Sequence, residues 1–156
     1  MRFSWLWRRG DVGLETLEQL DILRVALSKV CGDDTTACKE HWTKEDFTHG
    51  HCAVFALLVQ KLCGGKMLRA DLSKLPRYAH MRSHYWNLLP NGAEVDLSAD
   101  QFRVIDRDLV PVGKTDKNGE PITRKGLLAY EPTRKRYELL EKRLNELFDR
   151  VDKKAG

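Results

Sequence analysis

Three residues in this chain have the types and the order that thiol chemistry needs. Cys52 opens the almost wholly apolar run Cys52-Ala-Val-Phe-Ala-Leu-Leu-Val-Gln-Lys-Leu-Cys63, which follows Gly50 and stops at Gly64-Gly65. Such a run reads as a buried helix with a glycine C-cap. At a helix start, unpaired backbone N–H groups and the helix dipole favour thiolate over thiol, and the thiolate is the nucleophile. The Cys52 N–H would also lie near any oxyanion formed at its own sulfur, and Gly50 lets a substrate approach the backbone closely. A thiol enzyme further needs a base within hydrogen-bond reach of sulfur and a third polar group to orient that base. His84 and Asp96 can supply the pair, each from one of two apolar runs, Ser83 to Leu89 and Ala93 to Leu97. Taken singly, each of the three has a plainer reading: a core cysteine, a strand histidine bonded to a carbonyl, a solvated carboxylate.

The two runs flank Pro90-Asn91-Gly92, and Asn-Gly between apolar runs signals a hairpin. Counting outward from Asn91-Gly92 as a two-residue turn puts Leu88 opposite Val95 and Asn87 opposite Asp96. His84 is then diagonal to Asp96, and direct contact requires a bulge or a longer turn. Side-chain alternation puts His84, Trp86 and Leu88 on one face and Tyr85, Asn87 and Leu89 on the other. Trp86 therefore packs over the imidazole or fills the core. Trp42 and Phe47, before Cys52, either line a substrate groove or anchor their loop.

A metal site competes for some of the same residues. Cys31, Cys38, His41, His49, His51 and Cys52 offer six soft or borderline ligands within 22 residues, and zinc takes four at tetrahedral geometry. Cys38-x-x-His41 is an acceptable pair. The interval from Cys31 to Cys38 is long, and adjacent His51 and Cys52 rarely both ligate. No metal and no cofactor is assigned.

The elements that must position these residues follow from periodicity. Leu14, Leu17, Leu20, Leu23, Leu27 and Val30 recur at helical spacing and predict an amphipathic helix ending near Cys31-Gly32. Residues 33–50 are polar and aperiodic and read as a long loop. Lys66 to Leu72 predicts a first strand before the hairpin. The stretch from Gln101-Phe102 to Arg124 is rich in charge, with a turn at 116–121. Pro132 suits the first turn of a last helix, over about 132–151, with Tyr137, Leu140, Leu144, Leu147 or Phe148, and Val151 as its stripe and a frayed tail from Asp152. The whole predicts one α+β domain over 1–156, a central Cys-bearing helix packed on a small antiparallel sheet, with N- and C-terminal helices.

Composition sets outer limits. At 156 residues, 42% hydrophobic and 32% charged, with 5 Pro and 11 Gly, the chain matches a globular domain and excludes a collagen-like, mucin-like or largely disordered one. A net charge of +4, with no basic stripe bearing stacking aromatics, gives no strong nucleic-acid signal. The longest nearly uncharged stretch, His51 to Gln60, is far short of the roughly 20 apolar residues that span a bilayer, and the start lacks the features of a signal peptide. A cytoplasmic protein is expected, with its four cysteines as free thiols, ligands or a nucleophile rather than a disulfide framework.

Four blocks carry a resemblance: Gly50-His-Cys52 and the run to Gln60, Gly64 to Arg69, Ser83-His-Tyr-Trp-Asn87 to Gly92, and Glu94-Val-Asp96-Leu-Ser98 to Phe102. In order and spacing they resemble the bacterial YunG family, whose blocks in turn resemble the Cys, His, Asp order of papain-like and transglutaminase-like folds. The resemblance covers about 50–102. It implies Cys52 as nucleophile, His84 as general base and later acid, and Asp96 as the residue that orients His84. It also implies a Gln directly before the cysteine, where this chain has His51, a position from which a side chain can polarise a carbonyl. Trp42, His51 and Trp86 are the candidate substrate-side residues. The segment from Asp106 onward, with its basic cluster Arg134-Lys-Arg136, exceeds the family core as the resemblance draws it, and reads as a solvated helix face or a docking surface. The function expected is a thiol hydrolase or acyltransferase acting on an amide, isopeptide or thioester of a peptide or other amide-containing substrate. The alternatives are a non-catalytic binding module on the same scaffold and a zinc-stabilised interaction domain.

Overall fold

The most apolar segment of the chain forms the helix on which the other elements pack. In the computed structural model, which describes residues 12–99 and 122–155, the elements are α1 (Leu14–Val30), α2 (Cys52–Cys63), β1 (Lys66–Asp71), β2 (Ser83–Leu88), β3 (Glu94–Val95), α3 (Arg124–Ala129) and α4 (Glu131–Ala155), with a short 3-10 turn at Ala79–Met81 before β2. The architecture is α+β, with four α-helices and one antiparallel sheet of order β1-β2-β3 among the described residues. Val54 to Val59 of α2 are all buried, and the helix stops where Gly64 and Gly65 take positive φ. A Cβ on Gly65 would stand 2.2 Å from the Leu88 carbonyl oxygen, so only glycine lets the chain turn there into β1.

The sheet separates two apolar clusters. Met67, Leu89 and part of Tyr85 join α1, α2 and α4 in the larger one, with Leu20, Leu27, Phe55, Leu57, Leu140 and Leu144 among its members. Leu68, Ala70 and Trp86 pack with Leu72, Tyr78 and Ala99 on the other side. This is the period-2 alternation read from the sequence, with both faces covered. Asn87, buried among α2-facing residues, donates its Nδ2 to the Ala56 carbonyl at 2.9 Å and ties β2 to α2.

The hairpin departs from the two-residue turn. Leu89 N–H donates to the Ala93 carbonyl at 2.8 Å, leaving Pro90, Asn91 and Gly92 as a three-residue connection with Gly92 at φ 88°. The register shifts accordingly to Leu88 opposite Glu94 and Asn87 opposite Val95. β3 is also shorter than the run Ala93 to Leu97. The Asp96 carboxylate accepts from the backbone N–H and hydroxyl of Ser98, at 3.0 and 3.1 Å, and this local turn bends the chain away from β2.

The C-terminal part holds one helix more than the sequence predicts. Thr123 caps α3 by accepting from Gly126 N–H at 2.9 Å, a short element without a stripe long enough to be read as periodic. α4 buries Thr133, Tyr137, Leu140 and Leu144, while Phe148 and Val151 are exposed, and it remains helical through Ala155 rather than fraying from Asp152. Residues 101 and 102 and the expected turn at 116–121 lie outside the described residues. No helix among the described residues is long and apolar enough to cross a membrane.

The loop before α2 is shaped around Gly50, at φ 72°. A Cβ there would meet Thr36 Oγ1 at 2.2 Å and the Cys38 backbone nitrogen at 2.7 Å. Gly50→Ala is therefore expected to destabilise the protein by at least ~2 kcal/mol, from left-handed strain and from displacing the Thr36 turn. Urea unfolding measures it, and an unchanged midpoint would contradict this account of the loop.

Candidate active site

The start of α2 is built by the loop that precedes it. His51 is the N-cap residue, but its ring turns inward and makes no cap bond. It is fully buried, with Nδ1 3.1 Å from the His49 carbonyl and Nε2 2.7 Å from Thr35 Oγ1. Burial pushes its pKa down to about 4, against the pull of the His49 carbonyl, so the ring is neutral at pH 7. A neutral ring satisfies both contacts by donating from Nδ1 and accepting at Nε2. The first turn of α2 thus has neither a side-chain cap nor an acidic residue, and Cys52 and Ala53 at its start line a cavity. Helix N–H groups left in this way are donors for an anion.

Cys52 is partly exposed, and its Sγ stands 3.6 Å from the Ser83 carbonyl, at the first residue of β2. The next residue, His84, is fully buried. Its Nε2 lies 2.5 Å from Asp96 Oδ2, and its ring stacks on Trp86 at 5.5 Å and 13°. Burial opposes a charge on this imidazole, but the Asp96 carboxylate and a hydrogen bond with the Cys52 sulfur outweigh it and raise the His84 pKa to about 10. With Nε2 engaged by Asp96, Nδ1 is the nitrogen left for Cys52. The longer turn and the bend at Asp96 are what bring the diagonal pair of the sequence-based count into direct contact.

Cys52, His84 and Asp96 are therefore together, in the connected order sulfur, imidazole, carboxylate. The other cysteines differ in surroundings. Burial raises the pKa of Cys31 to about 12 and raises those of Cys38 and Cys63. The six candidate zinc ligands do not converge: His51 is bonded to Thr35, Cys31 packs against the larger core cluster, and His41 and His49 turn toward His80 instead.

The three candidate substrate-side residues are not on the cavity wall. His51 and Trp86 are buried inside the protein, and Trp42 is half-buried, its Nε1 donating to the Phe47 carbonyl at 3.0 Å while its ring packs on the core. The cavity, about 310 Å³, is walled instead by Cys38, Met81, Ser83 and Tyr85 and, from the C-terminal helices, by Leu127, Tyr130, Thr133 and Arg136. Arg136 is half-buried, its Nη2 3.2 Å from Thr133 Oγ1 and its Nε without a hydrogen-bond partner among the described residues. Burial lowers its pKa, with Tyr130 and Cys52 acting in the opposite direction. The periodicity does carry a signal for it, since Arg136 follows Thr133 by three residues and precedes Leu140 by four, which sets it beside the buried stripe rather than on the solvated face.

The His84–Asp96 contact has a consequence for stability. An imidazole that ionises near pH 6.5 in the unfolded chain and near 10 in the folded one contributes stability present in full below pH 6.5 and lost as pH rises toward 10. Between pH 7 and 9 this adds a downward slope on the order of 1 kcal/mol per pH unit. Asp96→Asn removes the carboxylate and should flatten that component. Urea unfolding at several pH values checks it, and equal slopes in the two proteins would rule out an ionised pair.

Residues 19–149 match the sequence model of a family described as YunG protein. No curated protein and no solved structure matches this chain. The family match reaches well beyond the blocks at 50–102 on both sides. It takes in α3 and most of α4, which corrects the expectation that the C-terminal segment exceeds the family core, and agrees with the part those helices play in walling the cavity. Through a match over most of its length, this chain belongs to the YunG family.

Proposed function

We propose that this protein is a thiol hydrolase or acyltransferase that works through an acyl-enzyme on Cys52. The observation that carries the reading is a partly exposed thiol at an uncapped helix start, opening into a cavity, with a neighbouring imidazole that is itself bound to a buried carboxylate. The order of helix cysteine, strand histidine and following aspartate resembles papain-like and transglutaminase-like enzymes, and a kinship with those folds is part of the same proposal.

In this mechanism the Cys52 thiolate, paired with the His84 imidazolium, attacks the carbonyl carbon of an amide, isopeptide or thioester. The carbonyl π pair moves to oxygen, and N–H groups of the first turn of α2 stabilise that oxyanion. The intermediate collapses, the bond to the leaving amine or thiol breaks, and His84 delivers its proton to that group, leaving a thioester on Cys52. Neutral His84 then takes a proton from water, or from an acceptor amine, as that nucleophile attacks the thioester. Collapse releases the carboxylic acid or the new amide and restores the thiolate and imidazolium. Asp96 orients His84 and favours its charged form throughout.

Arg136 favours a substrate with an anionic group near the scissile bond, since its half-buried guanidinium borders the same cavity as Cys52.

Alkylation tests both points. Iodoacetamide near neutral pH should label Cys52 well ahead of the other three thiols in mass mapping. His84→Gln, with folding verified by circular dichroism, should slow that labelling by at least about a hundredfold. Equal labelling of all four thiols would sink the thiol-enzyme reading. Anionic iodoacetate should gain on neutral iodoacetamide by severalfold at Cys52 relative to free cysteine, and Arg136→Gln should abolish the gain. An unchanged rate ratio in that variant would refute the anionic-substrate assignment alone.

A further inference from the structure

We infer that His41, His49 and His80 form a binding site for a divalent transition-metal ion of the zinc class, separate from Cys52, His84 and Asp96. Each histidine offers one ring nitrogen, and the three nitrogens lie within 4.8 Å of one another. The Nε2 atoms of His49 and His80 are 3.3 Å apart. Two imidazoles at Zn–N of about 2.05 Å and a tetrahedral angle stand about 3.3 Å apart, so this pair already has the separation of two ligands on one zinc ion.

A second observation supports the site independently. The other ring nitrogen of His49, Nδ1, faces the Asp46 carboxylate at 3.7 Å. A carboxylate behind a ligating imidazole directs the free lone pair toward the metal and raises its basicity. His49 is buried and so held in place, whereas His41 and His80 are exposed. The His41 ring lies over His80 with centroids 4.3 Å apart. Stacked rings do not aim their lone pairs at a common point, so coordination requires the exposed His41 to turn about its side-chain bonds, a movement open to a surface residue. Three neutral nitrogens leave a fourth position for water or a further ligand. A cavity of about 350 Å³ beside His41 and His80 gives it access to solvent.

The placement gives the ion a task. His41 and His49 belong to the loop before α2, and His80 to the 3-10 turn before β2. Cys38 in that loop, and Met81 and Ser83 beside His80, line the Cys52 cavity. An ion held by all three histidines cross-links two segments that both border the Cys52 cavity, and so stiffens the approach to Cys52. The inference does not depend on turnover at Cys52.

The test uses the full chain, stripped with a chelator and dialysed, then titrated with zinc sulfate against a chromophoric chelator. One zinc per chain is expected, with a dissociation constant in the micromolar range or tighter, and a rise in Tm on the order of 5 °C at a hundredfold excess over Kd. The double variant His41→Gln, His80→Gln changes only exposed side chains. It should lose at least tenfold in affinity and all of the Tm rise, while Cys38→Ser with Cys52→Ser should keep both. The cobalt-loaded protein should lack a sulfur-to-cobalt charge-transfer band. No binding, binding undiminished in the histidine double variant, or binding lost with the two cysteines would each overturn the assignment.

Discussion

The contact between His84 and Asp96 constrains more of this structure than any other. Both side chains are removed from water, and a charge left alone in such a place costs several kcal/mol, so whatever register the hairpin takes must leave the two in contact. A two-residue turn would hold them diagonally apart. The three-residue connection at 90–92 and the bend that Ser98 stabilises at Asp96 close the gap. Trp86 covers the imidazole, and Asn87 anchors the same strand to the Ala56 carbonyl of α2. Strand and helix are therefore locked in a relation that sets the Cys52 sulfur against the start of β2.

The loop before α2 performs the complementary task. Its buried threonines act as connectors: Thr35 Oγ1 meets His51, and Thr36 Oγ1 donates to the His49 carbonyl at 2.7 Å and accepts from Cys38 N–H at 3.1 Å. Gly50 makes the close passage possible. Because these contacts consume the His51 ring, the N-terminus of α2 is left uncapped and faces the cavity. The same folding of the loop brings His41 and His49 beside His80. The candidate reactive thiol and the three-histidine cluster thus share one scaffold, which is why stiffening one would be felt at the other.

The C-terminal helices close the arrangement. Their hold is chiefly apolar, through Tyr137, Leu140 and Leu144, with polar contacts that set the orientation of α3 and α4. Arg143 makes a two-toothed bridge to Asp34, Lys61 meets Glu141 at 2.9 Å, and Arg124 reaches the Leu57 carbonyl at 2.9 Å. Ion pairs with this much solvent around them add little stability each, but long-range geometry of this kind selects one rotation of the helix. In that rotation Thr133 and Arg136 border the Cys52 cavity rather than solvent.

Periodicity and turn chemistry were enough to read α1, α2, β1, β2 and most of α4 from the residues, because the apolar pattern of each and the residues that end it lie within the segment itself. The pairing of Cys52 with His84 and Asp96 was legible as an ordered set of residue types, though not as a distance. Other features depend on groups far apart in sequence and could not be read locally. The inward turn of His51 requires Thr35, and the length of the 90–92 turn answers to the buried pair it must serve. Arg136 sits in a basic cluster that by composition alone belongs to solvent; its spacing from Thr133 and Leu140 sets it beside the buried stripe, but the packing of α4 on the body of the protein decides that it borders the thiol cavity. His80, 31 residues beyond His49, has no local pattern to associate the two, since a ligand set assembled from separate loops exists only after the chain has folded.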